Sequence, residues 1–151
     1  MTTGKQEGIV LQVRIAAKPE TIFPYFTDPE KMMLWKGIEA ELEPYPGGIY
    51  RVNVTGKDIA VGKYVEIVPP TRVVFTWGWE EEGHPVPPGT STVEVTLTPD
   101  GDATLVRLRH YGFPSEETQN AHIEGWEHYM ARLEIRAAGG DPGVDPWVGR
   151  P

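Results

Sequence analysis

The sequence predicts an α+β fold, an antiparallel sheet covered by one long helix near the C-terminus. Three observations carry this expectation. Seven short β-rich runs follow one another with proline and glycine breakers between most of them. Only one segment, residues 115–140, has the length, the serine start and the double-glycine stop of a long helix. The chain has 151 residues, of which 39% are apolar, enough for one compact core.

The elements read in order as follows. GIVLQVRIA is the first strand. KPETIFPYFTDPEKMMLW reads as two short helices. The first opens at Pro19, with Ile22, Phe23 and Phe26 at helical spacing and Pro24 still within its first turn. The second opens at Asp28-Pro29-Glu30 with the aspartate as N-cap. Six strand-sized runs follow: IEAELEP, GGIYRVNV, DIAVGKYVEIV, TRVVFTWGW, STVEVTLTP and ATLVRLRHYGF. Most of the breaks are short, so neighbouring strands are expected to be antiparallel hairpins. Residues 1–151 therefore read as one domain, with a core over 8–138 and a Pro/Gly-rich tail over 139–151.

Alternation assigns the faces. Val73, Phe75, Trp77 and Trp79 share one face of their strand. Val93, Val95 and Leu97 share one face of the next. In the last strand Thr104, Val106, Leu108 and His110 turn inward, while Arg107 and Arg109 meet water. In HIEGWEHYMARL a 3.6-residue period places Trp126, Tyr129, Met130 and Leu133 on one stripe, with His122 in its middle. His128 falls off that stripe and reads as solvent-facing. Gly125, at the edge, weakens the helix by about 1 kcal/mol relative to alanine, so close approach of another group is expected there.

Composition removes several function classes. The net charge is −8, with no basic patch, so no nucleic-acid partner and no anionic membrane surface is expected. There is no cysteine, hence no disulfide, thiolate metal site or cysteine nucleophile. The N-terminal MTTGKQEG lacks an apolar run, and no segment approaches a membrane span; a cytoplasmic location is the expectation. HIEGWEH is not HExxH, and a spacing of six does not pair two ligands on a helix, so no metal is expected. No glycine-rich phosphate loop and no GxSxG setting is present, and no cofactor is expected.

The order of VRIAAKPETIFPYFTDPEKMMLW, PGGIYRV, VGKYVEIVPPTRVVFTW, LRHYGFP and HIEGWEHYMARL resembles the START-like (SRPBCC) superfamily. Within it, the chain is similar to homologues of the C-terminal domain of the activator of heat-shock protein 90 ATPase. The resemblance implies a helix-grip fold, a curved sheet around the long helix with a cavity between them. The chain starts almost at its first strand, so no counterpart of the eukaryotic activator's N-terminal chaperone-binding domain is expected.

A cavity of this kind takes small molecules on an apolar wall with a few polar groups. The candidate wall is Trp35, Tyr50, Phe75, Trp77, Trp79, His110, His122, Trp126, Tyr129 and Met130. The expected partner is a small apolar or aromatic ligand. Two other readings stand beside it. One is an aromatase/cyclase or hydrolase using His110 and His122 as acid or base. The other is a stress-related interaction module, for which chaperone contact is the less favoured partner. Glu80–Gly89 reads as a solvated hairpin loop, with a lid as the alternative. Trp147 reads as an anchor, docking on the body or on a second copy in a homodimer.

Overall fold

A computed structural model describes residues 8–149; residues 1–7, which hold most of the polar N-terminal stretch, and residues 150–151 lie outside it. Strands β1 (Ile9–Ile15), β2 (Glu39–Leu42), β3 (Ile49–Asn53), β4 (Ile59–Val68), β5 (Arg72–Trp77), β6 (Ser91–Asp100) and β7 (Ala103–Tyr111) form one sheet in the order β1-β7-β6-β5-β4-β3-β2. Every pairing is antiparallel. Four of the five hairpins from β2 to β7 follow from the short breaks, and β5 pairs with β6 across the longer segment 78–90. β1 is the exception: it pairs with β7, Val13 opposite Val106, so the first and last strands lie side by side at one edge of the sheet.

Between β1 and β2 the chain crosses from one edge of the sheet to the other through α1 (Pro19–Ile22), a 3-10 turn (Phe23–Phe26) and α2 (Pro29–Met32). The first helix is shorter than its spacing suggests. Pro24 has no N–H to extend the α ladder, and the chain tightens into the 3-10 turn at that point. Asp28 caps α2 as expected, accepting the Glu30 N–H at 2.9 Å. The crossing buries Ile22, Phe23, Tyr25, Phe26, Met32 and Trp35.

Helix α3 (Glu116–Ala137) starts in a capping box between Ser115 and Thr118. Its inner stripe, Trp126, Tyr129, Met130, Leu133 and Ala137, is buried, and so are the inward residues of β5, β6 and β7. His110 is fully buried, facing the core as alternation requires. A curved antiparallel sheet around one long helix is the helix-grip architecture. No helix among the described residues is long and apolar enough to cross a membrane.

Candidate functional site

The buried positions of α3 lie from Trp126 onward, so its C-terminal half closes the core while its first half does not. A cavity of about 670 Å³ occupies the space between that first half and the sheet. This size falls within the range of small-molecule sites. Trp77 and Trp79 supply one wall, Trp126 and Tyr129 another, and Trp147 a third. Exposed Asp58, Glu117 and Glu124 stand among the lining residues and make the rim acidic.

The Glu80–Gly89 segment departs from the solvated-loop expectation. Val86 is fully buried, its carbonyl accepts the Trp79 N–H at 2.8 Å, and His84, Pro85 and Val86 contribute to the cavity wall. The valine between prolines gains by burial, while Glu80, Glu81 and Glu82 stay exposed and keep their hydration. Charge at Glu80–Glu82 dominated the sequence pattern and hid this anchor.

Of the ten residues expected at the wall, Trp77, Trp79, His122, Trp126 and Tyr129 line the cavity. Trp35, Tyr50, Phe75, His110 and Met130 stand outside its lining and pack behind it. Tyr50 stacks on Phe75 with ring centroids 4.1 Å apart, and the Trp35 indole donates to the Tyr25 carbonyl at 3.0 Å. Gly125 has no crowding neighbour. A Cβ built there meets nothing within 4 Å, and the residue lines the cavity. The close approach expected at this glycine is thus replaced by empty space.

His110 and His122 do converge, with ring centroids 5.6 Å apart. Their partners fix both tautomers. The Trp126 indole, which can only donate, gives its proton to His110 Nδ1 at 2.9 Å, so Nε2 carries the hydrogen and donates to Ser91 Oγ at 2.8 Å. Ser91 in turn donates to the Trp77 carbonyl. His122 Nδ1 lies 2.7 Å from the Thr118 carbonyl and must donate to it, while Nε2 accepts from the Trp79 indole at 2.8 Å. Burial lowers the pKa of both rings, His110 well below the usual range. The neighbouring basic groups His122 and Lys36 disfavour a proton on His110 further. Both imidazoles are neutral, with every nitrogen engaged.

The site also contains a residue that no sequence pattern singles out, Lys36, which is only 2% exposed and forms part of the cavity wall. Its backbone N–H closes the turn after α2 by donating to the Met32 carbonyl. Gly37 then takes a positive φ, and a Cβ at that position would lie 2.6 Å from the Val52 side chain. This close passage against β3 keeps Lys36 under the sheet. Its Nζ donates to the Tyr50 hydroxyl at 3.3 Å and lies 4.2 Å from the Trp77 ring centre and 4.3 Å from that of Trp126. Burial holds the ammonium pKa well below the usual lysine range. Trp77 adds a buried indole N–H with no partner among the described residues.

The tail corrects the expectation for His128. It is half-buried, and Trp147 stacks on its ring at 3.9 Å. Asp145 joins them, accepting from the Tyr129 hydroxyl at 2.7 Å, from His128 Nε2 at 2.8 Å and from the Trp147 N–H at 3.0 Å. The periodicity of a helix describes its own faces and carries no information about a strap that returns over one of them. Burial opposes ionisation of Asp145, but the hydrogen bonds from Tyr129, Trp147 and His128 outweigh it and hold its pKa below the ordinary value. The carboxylate therefore stabilises the fold above the unfolded aspartate pKa of about 4, and that contribution is lost as pH falls through the folded value. Asp145→Ala is expected to lower stability by roughly 1–3 kcal/mol. It should also flatten the acid limb of the melting curve below about pH 4 and speed proteolysis of the tail. An unchanged acid limb would show that the strap does not depend on this carboxylate.

A sheet gripping one helix over an aromatic cavity defines the class. The chain belongs to the Activator of Hsp90 ATPase homolog 1-like family, whose model matches residues 16–138. An AHSA1-like protein of Rhizobium etli is 48% identical, with 96% of this chain and 91% of that one covered at a TM-score of 0.70. CalU16 of Micromonospora echinospora is 29% identical, covering 92% and 77% at a TM-score of 0.73. An HSP90 activator from Plasmodium falciparum, 22% identical over 86% and 95%, shares the fold at a TM-score of 0.69. No curated protein matches the chain.

Proposed function

We propose that the protein binds a small apolar or aromatic molecule in the cavity beneath the first half of α3. One observation carries this reading: the cavity of about 670 Å³ is walled by Trp77, Trp79, Trp126 and Trp147 yet remains open below Gly125. A helix that needed only to close the core would gain by filling that space. Four indoles offer stacking surface to a flat ligand and bury much apolar area on binding.

Histidine acid–base catalysis is the less supported reading, because no nitrogen of His110 or His122 is free to exchange a proton with a ligand. The test is titration with the neutral aromatic probe N-phenyl-1-naphthylamine. Saturable, one-to-one emission with energy transfer from tryptophan is expected. Absence of any saturable signal would remove the proposal.

A further inference from the structure

Resting on the cavity reading, we propose that Lys36 is a nucleophilic amine that captures an aldehyde or ketone ligand as a Schiff base. Three observations assign this role. Lys36 is buried on the cavity wall, and among the described residues no carboxylate forms an ion pair with it. A buried lysine held as a permanent cation is ordinarily paired. Its Nζ lies 4.2 and 4.3 Å from the Trp77 and Trp126 ring centres, which are themselves 5.3 Å apart. These distances form a triangle, so the two rings flank the amine from one side and do not sandwich it. Finally, the rim residues Asp58, Glu117 and Glu124 and the net charge of −8 oppose entry of an organic acid but not of a neutral carbonyl compound.

Burial shifts the Lys36 ammonium toward the free amine, which is the nucleophilic form. The nitrogen lone pair adds to the carbonyl carbon. The proton it loses passes to the carbonyl oxygen, giving a carbinolamine. The second proton of the nitrogen passes to that hydroxyl, which leaves as water while the C=N bond forms, so one amine and one carbonyl give one imine and one water. Protonation of the imine creates a cation beside the Trp77 and Trp126 faces, where the ring quadrupoles stabilise it.

The experiment incubates the full chain with cinnamaldehyde and sodium cyanoborohydride at pH 7, followed by intact mass and peptide mapping. One adduct is expected, of the mass of the aldehyde less its oxygen, on Lys36 and at least ten-fold over any of Lys18, Lys31, Lys57 and Lys63. Lys36→Met and Lys36→Arg should lose it, with melting curves showing that each variant is folded. Labelling spread evenly over the lysines, or none at all, overturns the proposal. So does cinnamate binding that Lys36→Met abolishes while wild type gives no aldehyde adduct, because Lys36 is then an anchor for acids. Cinnamyl alcohol separates the two readings. If it displaces N-phenyl-1-naphthylamine but no adduct forms, the cavity stands and the Schiff base falls; if the probe itself does not bind, the cavity reading falls.

Discussion

Gly125→Leu is expected to abolish probe binding while leaving the protein as stable as wild type or more so. The reasoning starts from the helix. Glycine in a helix interior is about 1 kcal/mol worse than alanine, and leucine recovers most of that difference. No atom opposes the new side chain, since nothing lies within 4 Å of a Cβ at this position. The leucine therefore enters the cavity below Trp126 and buries apolar surface that was open before, adding about 1 kcal/mol or more. A ligand must then compete with a covalently attached occupant, and affinity should fall at least a hundred-fold. Gly125→Ala is the matched control. It makes the same propensity gain, of about 1 kcal/mol, but adds one carbon to a space of about 670 Å³, so binding should persist. Urea melts and probe titrations of the three proteins decide the matter. Loss of stability in Gly125→Leu would mean the space is not available, and undiminished binding would place the ligand elsewhere.

The strands and the long helix could be read because their signals are local and repeated. Alternation in VVFTW and in LVRLRH sets which side chains face inward, and β-sheet pairing then adds no new information. The cavity was legible to the extent that it is made from those same inward positions: Trp77, Trp79, His122, Trp126 and Tyr129. Two kinds of residue escaped. Lys36 follows a short helix, and a lysine there is normally solvated. Only the passage of Gly37 against Val52, a contact between chain segments 15 positions apart in sequence, keeps it inside. Asp145 and Val86 lie in Pro/Gly-rich or acidic segments, where no period reports on burial, whereas Trp147 was legible as an apolar anchor and docks on His128. The burial of Asp145 is decided by His128 and Tyr129 on the long helix and that of Val86 by the Trp79 backbone across its own loop, and composition alone suggested water. Gly125 was misread for a related reason: a glycine tolerates both a crowding neighbour and an empty space, and sequence cannot separate these.

His110→Ala is expected to be the most destabilising substitution at the site, with the loss falling on folding rather than on chemistry. The ring is fully buried and bridges two elements, donating to Ser91 at the start of β6 and accepting from Trp126 on α3. Removing it strands the Trp126 indole N–H and one bond of the Ser91 hydroxyl, each worth about 1–3 kcal/mol when left buried without a partner. It also leaves a void against Phe113, Trp77 and Trp126. Together these should reach roughly 3–5 kcal/mol, a large part of the stability of a domain this size. His122→Ala should lose only about 1 kcal/mol, because its site opens on the cavity and water can replace the ring. The pH dependence gives an independent reading. The folded pKa of His110 lies well below its unfolded value of about 6.5. Below that pH the unfolded chain takes up a proton that the folded chain refuses, so stability falls with acidification, by up to about 1.4 kcal/mol per pH unit. Chemical denaturation from pH 7 to pH 5 should show this slope in wild type. His110→Gln, whose carbonyl can still accept from Trp126, should retain more stability than the alanine variant and lose the His110 share of the slope, leaving that of His122 and Lys36. A slope unchanged in His110→Gln, or a His110→Ala protein as stable as wild type, would show that the histidine is not part of the packed framework behind the cavity and would reopen its use as an acid or base.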